Sequence, residues 1–280
     1  MFVVPRMVGH IGMVDIAASR FAVFGLISAV AVFARPAAVR WPTWRQARTA
    51  AALSLLGFTG YYLLLAFSIE ALGTAVPSLV IGTIPVWMML LGRPAGLRLR
   101  SLLPGLFLTA AGIGLMVASA WSDAGVSNGG HFGAGLTLAV LAMASWTVFG
   151  LLNAAWLKHH ADVAATDWAN WLGISTGLGA VGLWLVAGSD VAALQSQPNV
   201  GLFWLLALAG GIGSSWLATI LWNVASQRLS ASLCGQLIVS ETLFALLYSF
   251  VWDGRWPHAT ELAAAALFVL GILASIKAHR

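Results

Sequence analysis

The chain has 280 residues, 60% of them hydrophobic and 8% charged, with a mean hydropathy of +0.90. Soluble domains carry about 25% charged residues, so a water-soluble enzyme or binding module is excluded, and no polar stretch is long enough for a second domain. The net charge of +5 is no nucleic-acid footprint, because the basic residues sit in short segments between apolar blocks, and the single cysteine, Cys234, excludes an intrachain disulfide and a thiolate metal site.

Residues 1–8 are apolar apart from Pro5 and Arg6, too short to span a bilayer, and without the basic start of a signal peptide. They read as the second half of a helix whose first half is missing: either the start is set late, the reading favoured here, or the first helix is genuinely short. Nine apolar blocks follow, at 13–34, 49–69, 74–91, 102–120, 135–156, 166–187, 201–225, 232–252 and 260–276. A hydrocarbon core of about 30 Å needs about 20 apolar residues as a helix, and helices satisfy their own backbone hydrogen bonds in lipid. With the first helix restored, the expected fold is an all-α integral membrane protein of ten helices in a single transmembrane domain, 1–280.

Charge bias sets the expected orientation. With the C-terminus in the cytoplasm, the inner segments hold Arg35, Arg40, Arg45, Arg48, Arg93, Arg98, Arg100, Lys158, Arg228, Lys277 and Arg280, which is 11 of the 14 basic residues. The reverse orientation breaks the positive-inside rule. Trp41, Trp44, Trp121, Trp252 and Trp256 fall at span ends, as an interfacial aromatic belt requires.

A weak internal repeat runs through the chain. Residues 49–120 and 201–278 share one plan, a pair of helices, a basic turn and a further helix. The runs 66–75 and 222–231 align loosely, as do 111–114 with 270–273 and 2–6 with 149–153. Five helices per half, 1–121 and 134–280, give odd parity, so the halves insert in opposite orientations. Inverted repeats are a transporter signature, with the substrate site at midplane between them.

Within this plan stand Asp15-Ile16-Ala17-Ala18-Ser19-Arg20-Phe21 at the second helix, four-residue turns at 70–73 and 227–230, and Ile84-Pro85-Val86-Trp87 with Ser240-Glu241-Thr242-Leu243 at its repeat position. On these residues and the ten spans in two halves, the sequence resembles the drug/metabolite transporter superfamily of the EamA type. Thr242 stands where a proline is usual, and the first helix lacks its tryptophan-bearing start. Trp222-Asn223-Val224 and the aromatic load bring the chain nearest to the YddG-type aromatic amino acid exporters. The resemblance implies a bacterial inner-membrane exporter of amino acids or other small metabolites, working by alternating access. The alternatives are an exporter of drug-like compounds and a channel or structural membrane subunit.

Glu241 is the only carboxylate well inside a span. Charges at that depth are costly and usually face a cavity or partner, so it is a proton site, a contact for a substrate ammonium, or a structural hydrogen bond in the protonated state. Arg20 either meets a carboxylate or snorkels outward beside Asp15. Tyr61, Tyr62, Trp146, Trp171, Trp216 and Trp222 lie within spans, in a chain with only three tyrosines. Their rings and polar handles suit a flat apolar substrate, and packing between helices is the bland alternative. Asn170, Asn153, Asn223 and Gln236 add neutral polar groups, as ligands or as interhelical glue. Pro85 is expected to kink the fourth span, while Gly173, Gly177 and Gly182 permit close helix contact.

Enzymatic chemistry is not expected. Gly211-Ile212-Gly213-Ser214-Ser215 superficially matches an intramembrane-protease motif, but all six histidines fall in loops or at span ends, away from any base role. No cofactor or metal is expected. The expected partners are a small-molecule substrate and the lipid bilayer, not nucleic acid, with a monomer among the states the sequence allows.

Overall fold

The computed structural model describes residues 7–9, 11–34, 41–73, 75–123, 132–254 and 256–279. The repeat alignment at 2–6, Arg35 and Arg40 lie outside these residues, as do the side chains of Trp121, Thr242 and Trp252. Among the described residues every regular element is helical: α1 (Met13–Phe33), α2 (Trp44–Leu72), α3 (Ala75–Ile81), α4 (Ile84–Leu91), α5 (Leu99–Asp123), α6 (Phe132–His159), α7 (Ala165–Ala187), α8 (Val191–Gln195), α9 (Val200–Arg228), α10 (Ala231–Asp253) and α11 (Ala259–Ala278). Seven of them, α1, α2, α5, α6, α7, α9 and α11, are long and apolar enough to cross a bilayer. The chain is a multi-spanning helical membrane protein.

Local chemistry sets the helix ends. α2 starts at a capping box: the Thr43 hydroxyl accepts from the Gln46 N–H at 3.3 Å, and the Thr43 N–H donates to the Gln46 side chain at 2.9 Å. It ends at Gly73, whose φ of +73° suits a residue without Cβ and whose N–H reaches the Ile69 carbonyl at 2.8 Å. The fourth expected span is broken rather than kinked. Pro85 lacks an N–H and would collide with the carbonyl four residues back, so the chain leaves the helix at 82–83 and Pro85 opens the first turn of α4. Thr83 bridges the break, with its hydroxyl donating to the Val80 carbonyl at 2.7 Å.

The two 29-residue helices, α2 and α9, each contain a π-helical segment, Leu55–Thr59 in α2 and Gly210–Leu217 in α9. The serine run Gly213-Ser214-Ser215 lies inside the second of these, where the Ser214 hydroxyl donates to the Gly210 carbonyl at 2.8 Å.

The chain divides into two compact units. One joins the residues up to Ala66 to Leu152–Arg228, and the other joins Phe67–Leu151 to the residues from Leu229 onward. In the first unit α1 and α7 run antiparallel, since Asp15 meets Ser189 at one end while Ser28 and Phe24 meet Gly173 at the other. Their backbones nearly touch. A Cβ on Gly25 would lie 2.6 Å from the Gly177 Cα, and one on Gly177 would lie 2.7 Å from the Gly25 Cα. Gly173 and Gly177 therefore make the close contact expected of them. Gly182 does not, because a Cβ there meets nothing within 4 Å. α1 also packs Val23 on Gly211 in the π segment of α9, and α7 packs Gly179 on Thr59 in the π segment of α2. Ser54 and Thr176 close the latter contact with a buried hydroxyl pair at 2.6 Å.

In the second unit α5 and α11 form another antiparallel pair with glycines at the contact. Gly105 lies against Ser275, Gly112 against the Phe268 ring, and Gly271 against Thr109. α4 meets the start of α10, where the Ser232 N–H donates to the Gly92 carbonyl and its hydroxyl to the Met89 carbonyl, each at 3.1 Å. Cys234 is buried in α10.

Candidate functional site

Seven of the ten candidate residues fall in the first unit. Phe21 is packed edge-on by Phe58 and Tyr62, with ring centroids 6.0 and 5.9 Å away. Tyr62 is buried in this cluster and Tyr61 is half-buried against it. The Arg20 guanidinium lies 4.4 Å from the Phe21 centroid and 5.8 Å from that of Tyr62, within cation–π range. Asp15 is engaged by Ser189, whose N–H and hydroxyl donate to its carboxylate at 2.9 and 2.7 Å.

A line of amides crosses the same unit. The Trp168 indole donates to Asn153 Oδ1 at 2.8 Å, Asn153 Nδ2 donates to Asn223 Oδ1 at 2.9 Å, and Asn223 Nδ2 donates to the Ala165 carbonyl at 3.4 Å. Asn153 and Asn223 have no exposed surface. Asn170, also buried, accepts from the Trp216 indole at 2.8 Å. Trp171 is half-buried and leans on Trp41 with centroids 5.6 Å apart, and Trp222 is half-buried on α9.

The other three candidates lie in the second unit. Gln236, with no exposed surface, pairs with the Thr109 hydroxyl at 3.1 Å from Nε2. Trp146 is half-buried and meets Phe149 edge-on at 6.1 Å. Glu241 stands in the middle of α10 and is exposed at the protein surface. Among the described residues no group of three or more His, Cys, Asp or Glu is arranged to hold a metal.

Apart from Tyr62, which is buried in the ring cluster, the candidates fall into two chemical sets. Asn170, Asn223 and Gln236 are buried and bonded to other helices of their own unit, while Tyr61, Trp146, Trp171, Trp216, Trp222 and Glu241 keep accessible surface. Trp156 and Trp168, which the sequence does not single out, stack face to face with centroids 3.4 Å apart, with His160 stacked on Trp156 at 4.2 Å. The four-residue spacing of Trp156 and His160 on one helix face is the signal that marks that pair. An open cleft of about 750 Å³ lies beside this stack, between the first half of α2 and the end of α6, with Arg45 and Arg48 among its lining.

No family model matches the chain. It is similar to the inner membrane protein YtfF of Escherichia coli (strain K12), at 29% identity over 277 residues that span 92% of this chain and 85% of that protein. It also superimposes on a protein known from its crystal structure, with a TM-score of 0.78 and 20% identity, covering 100% of this chain and 93% of the other. At that identity the likeness shows a shared fold alone.

Proposed function

We propose that the chain is a secondary transporter of the drug/metabolite transporter type, placed in the inner membrane as its YtfF relative is named, and exporting amino acids or related small metabolites, aromatic ones first. The observation that carries this reading is the paired construction of each unit. Helices at corresponding places in the two halves of the sequence, α1 with α7 and α5 with α11, pack antiparallel through glycines. Gly25 and Gly177 stand equally far from the starts of their helices and oppose each other. α2 and α9 match in length and in carrying a π segment, and each π segment is held by the partner half's helix. A two-fold axis in the membrane plane relates halves in this way, and inverted repeats of this kind are the frame of alternating-access carriers. π segments occur often at functional sites.

Within that frame the accessible side chains are the substrate contacts of each unit taken by itself: in the first, the rings of Tyr61, Trp171, Trp216 and Trp222 for the apolar part of a substrate; in the second, the Trp146 ring and the Glu241 carboxylate, the latter for an ammonium group. Asn170, Asn223 and Gln236 hold the helices that carry these rings. The C-terminus faces the cytoplasm, as the distribution of basic residues requires.

The reading is tested by presenting proteoliposomes with labelled amino acids one at a time. Saturable uptake of tryptophan, phenylalanine or tyrosine above that of protein-free vesicles is the expected result. Uptake indistinguishable from protein-free vesicles for every amino acid would overturn the substrate class.

A further inference from the structure

The cleft between α2 and α6 has one polar end and one apolar wall. Arg45, Arg48, His159 and His160 gather at the polar end, and Leu53, Leu56, Leu152 and Trp156 continue the lining away from it. No carboxylate is among its described lining residues. Both arginines are exposed, and they occupy the opening turns of a helix that has no acidic residue in its first turn. That is the end of a helix where the macrodipole is positive, so the dipole disfavours two cations there and adds its own attraction for an anion. The His159 and His160 Nδ1 atoms donate to the carbonyls of Ala155 and Trp156 at 2.7 and 2.9 Å, which leaves each Nε2 for another partner.

Length distinguishes the possible ligands. From Arg45 to Leu56 the helix rises about 16 Å at 1.5 Å per residue, and the stretch beyond the charged end, Ala52 to Leu56, is apolar over about 6 Å. The cleft is therefore charged at one end and apolar over the length of the first few carbons of an acyl chain. Leu152 in its lining and Leu55 beside it are 50% and 59% exposed, as lipid-facing side chains are. A small soluble phosphate would use only the polar end and leave the apolar wall in water.

We propose that this cleft binds an anionic phospholipid of the leaflet on the basic side of the protein. The phosphate is gripped by Arg45 and Arg48, whose guanidinium groups suit phosphate oxygens in pairs. Trp156 lies at the level of the glycerol, where tryptophan is favoured. One acyl chain runs along Leu53, Leu56 and Leu152. Basic pockets between spans on the cytoplasmic side recognise lipid headgroups by this chemistry, and the site is independent of what the protein carries.

The test is native mass spectrometry of the delipidated full-length protein titrated with phosphatidylglycerol, with phosphatidylethanolamine of the same chains, and with glycerol 3-phosphate. Phosphatidylglycerol is expected to bind about tenfold more tightly than phosphatidylethanolamine, because both present the phosphate but the ethanolamine ammonium is repelled by the two arginines that hold it. R45Q/R48Q should remove that preference, whereas R98Q/R100Q, in a different basic turn, should keep it. Ala155→Trp, which fills the cleft and leaves its charges, should also weaken phosphatidylglycerol. If R45Q/R48Q does not fold, the Ala155→Trp result decides. Equal binding of the two lipids, full preference retained in R45Q/R48Q or in Ala155→Trp, or displacement of phosphatidylglycerol by equimolar glycerol 3-phosphate would each overturn the proposal.

Discussion

Replacing Gly25 by alanine tests the α1–α7 crossing on which the paired construction rests. The new Cβ would lie 2.6 Å from the Gly177 Cα and 3.2 Å from the Gly173 carbonyl oxygen, whereas ordinary contact begins near 3.4 Å. All the opposing atoms are backbone, so no side chain can turn aside and the helices must part by about 1 Å. Overpacking of this kind costs about 1–3 kcal/mol, and alanine returns up to about 1 kcal/mol of helix propensity. A net loss of about 1–2 kcal/mol follows, or about 2–8 °C in apparent Tm at about 2–4 °C per kcal/mol. The assay is the fraction of detergent-solubilised protein surviving heating, read by size-exclusion chromatography. Gly182→Ala on α7 is the internal control. Its Cβ enters open space, so only the propensity gain remains and the variant should match or exceed the parent. The double variant G25A/G177A should lose less than the two single losses together, because both methyls open the same gap. Equal stability of Gly25→Ala and Gly182→Ala would show that the close crossing contributes nothing.

Other outcomes follow from the same structure. On a Cys234→Ser background, cysteine at Ser196 should react with an impermeant thiol reagent from the outside and cysteine at Ala95 should not; the opposite pattern would reverse the orientation. Tyr61→Ala and Trp146→Ala should each lower transport of an aromatic substrate at near-normal expression, and parental rates in both would remove them from the substrate path. Asn223→Ala strands the Asn153 amide in the bundle, so apparent Tm should fall by the equivalent of about 1–2 kcal/mol with substrate KM unchanged; a KM shift without a stability loss would make Asn223 a ligand instead. Glu241→Gln keeps size and hydrogen-bonding capacity, so it should abolish transport if the carboxylate meets an ammonium group. Unaltered transport would show that the charge is not used.

Much of the fold is legible because the bilayer leaves the sequence little choice. Runs of about 20 apolar residues have to be helices, and among the described residues the nine apolar blocks are helical but for the break at 82–83. Pro85 announces an interruption of the block at 74–91, although whether it kinks or breaks the helix depends on Thr83 and Gly82, which close the turn before it. The glycines divide by helix face. Gly173 and Gly177, four residues apart on one face in a small-xxx-small pair, meet Gly25 and Ser28, while Gly182, five residues past Gly177 and about 140° round the helix, faces nothing. The π segments have no periodicity that an apolar run could display. Polar residues are the least legible. Asn153, Asn170 and Asn223 look alike in the sequence, and only their partners show that each is spent on another helix. Arg45, Arg48, His159 and His160 read as separate loop charges until folding brings two chain segments together at one cleft.

The most direct measurement of carrier function is counterflow. Proteoliposomes preloaded with unlabelled tryptophan are diluted into a trace of labelled tryptophan. A site exposed alternately to each side exchanges internal for external substrate, so the label should rise transiently above its equilibrium level and then decay. Omitting the internal tryptophan should abolish the overshoot. Label that climbs monotonically to equilibrium at the same rate with or without preloading would contradict the account, because that is the behaviour of a channel.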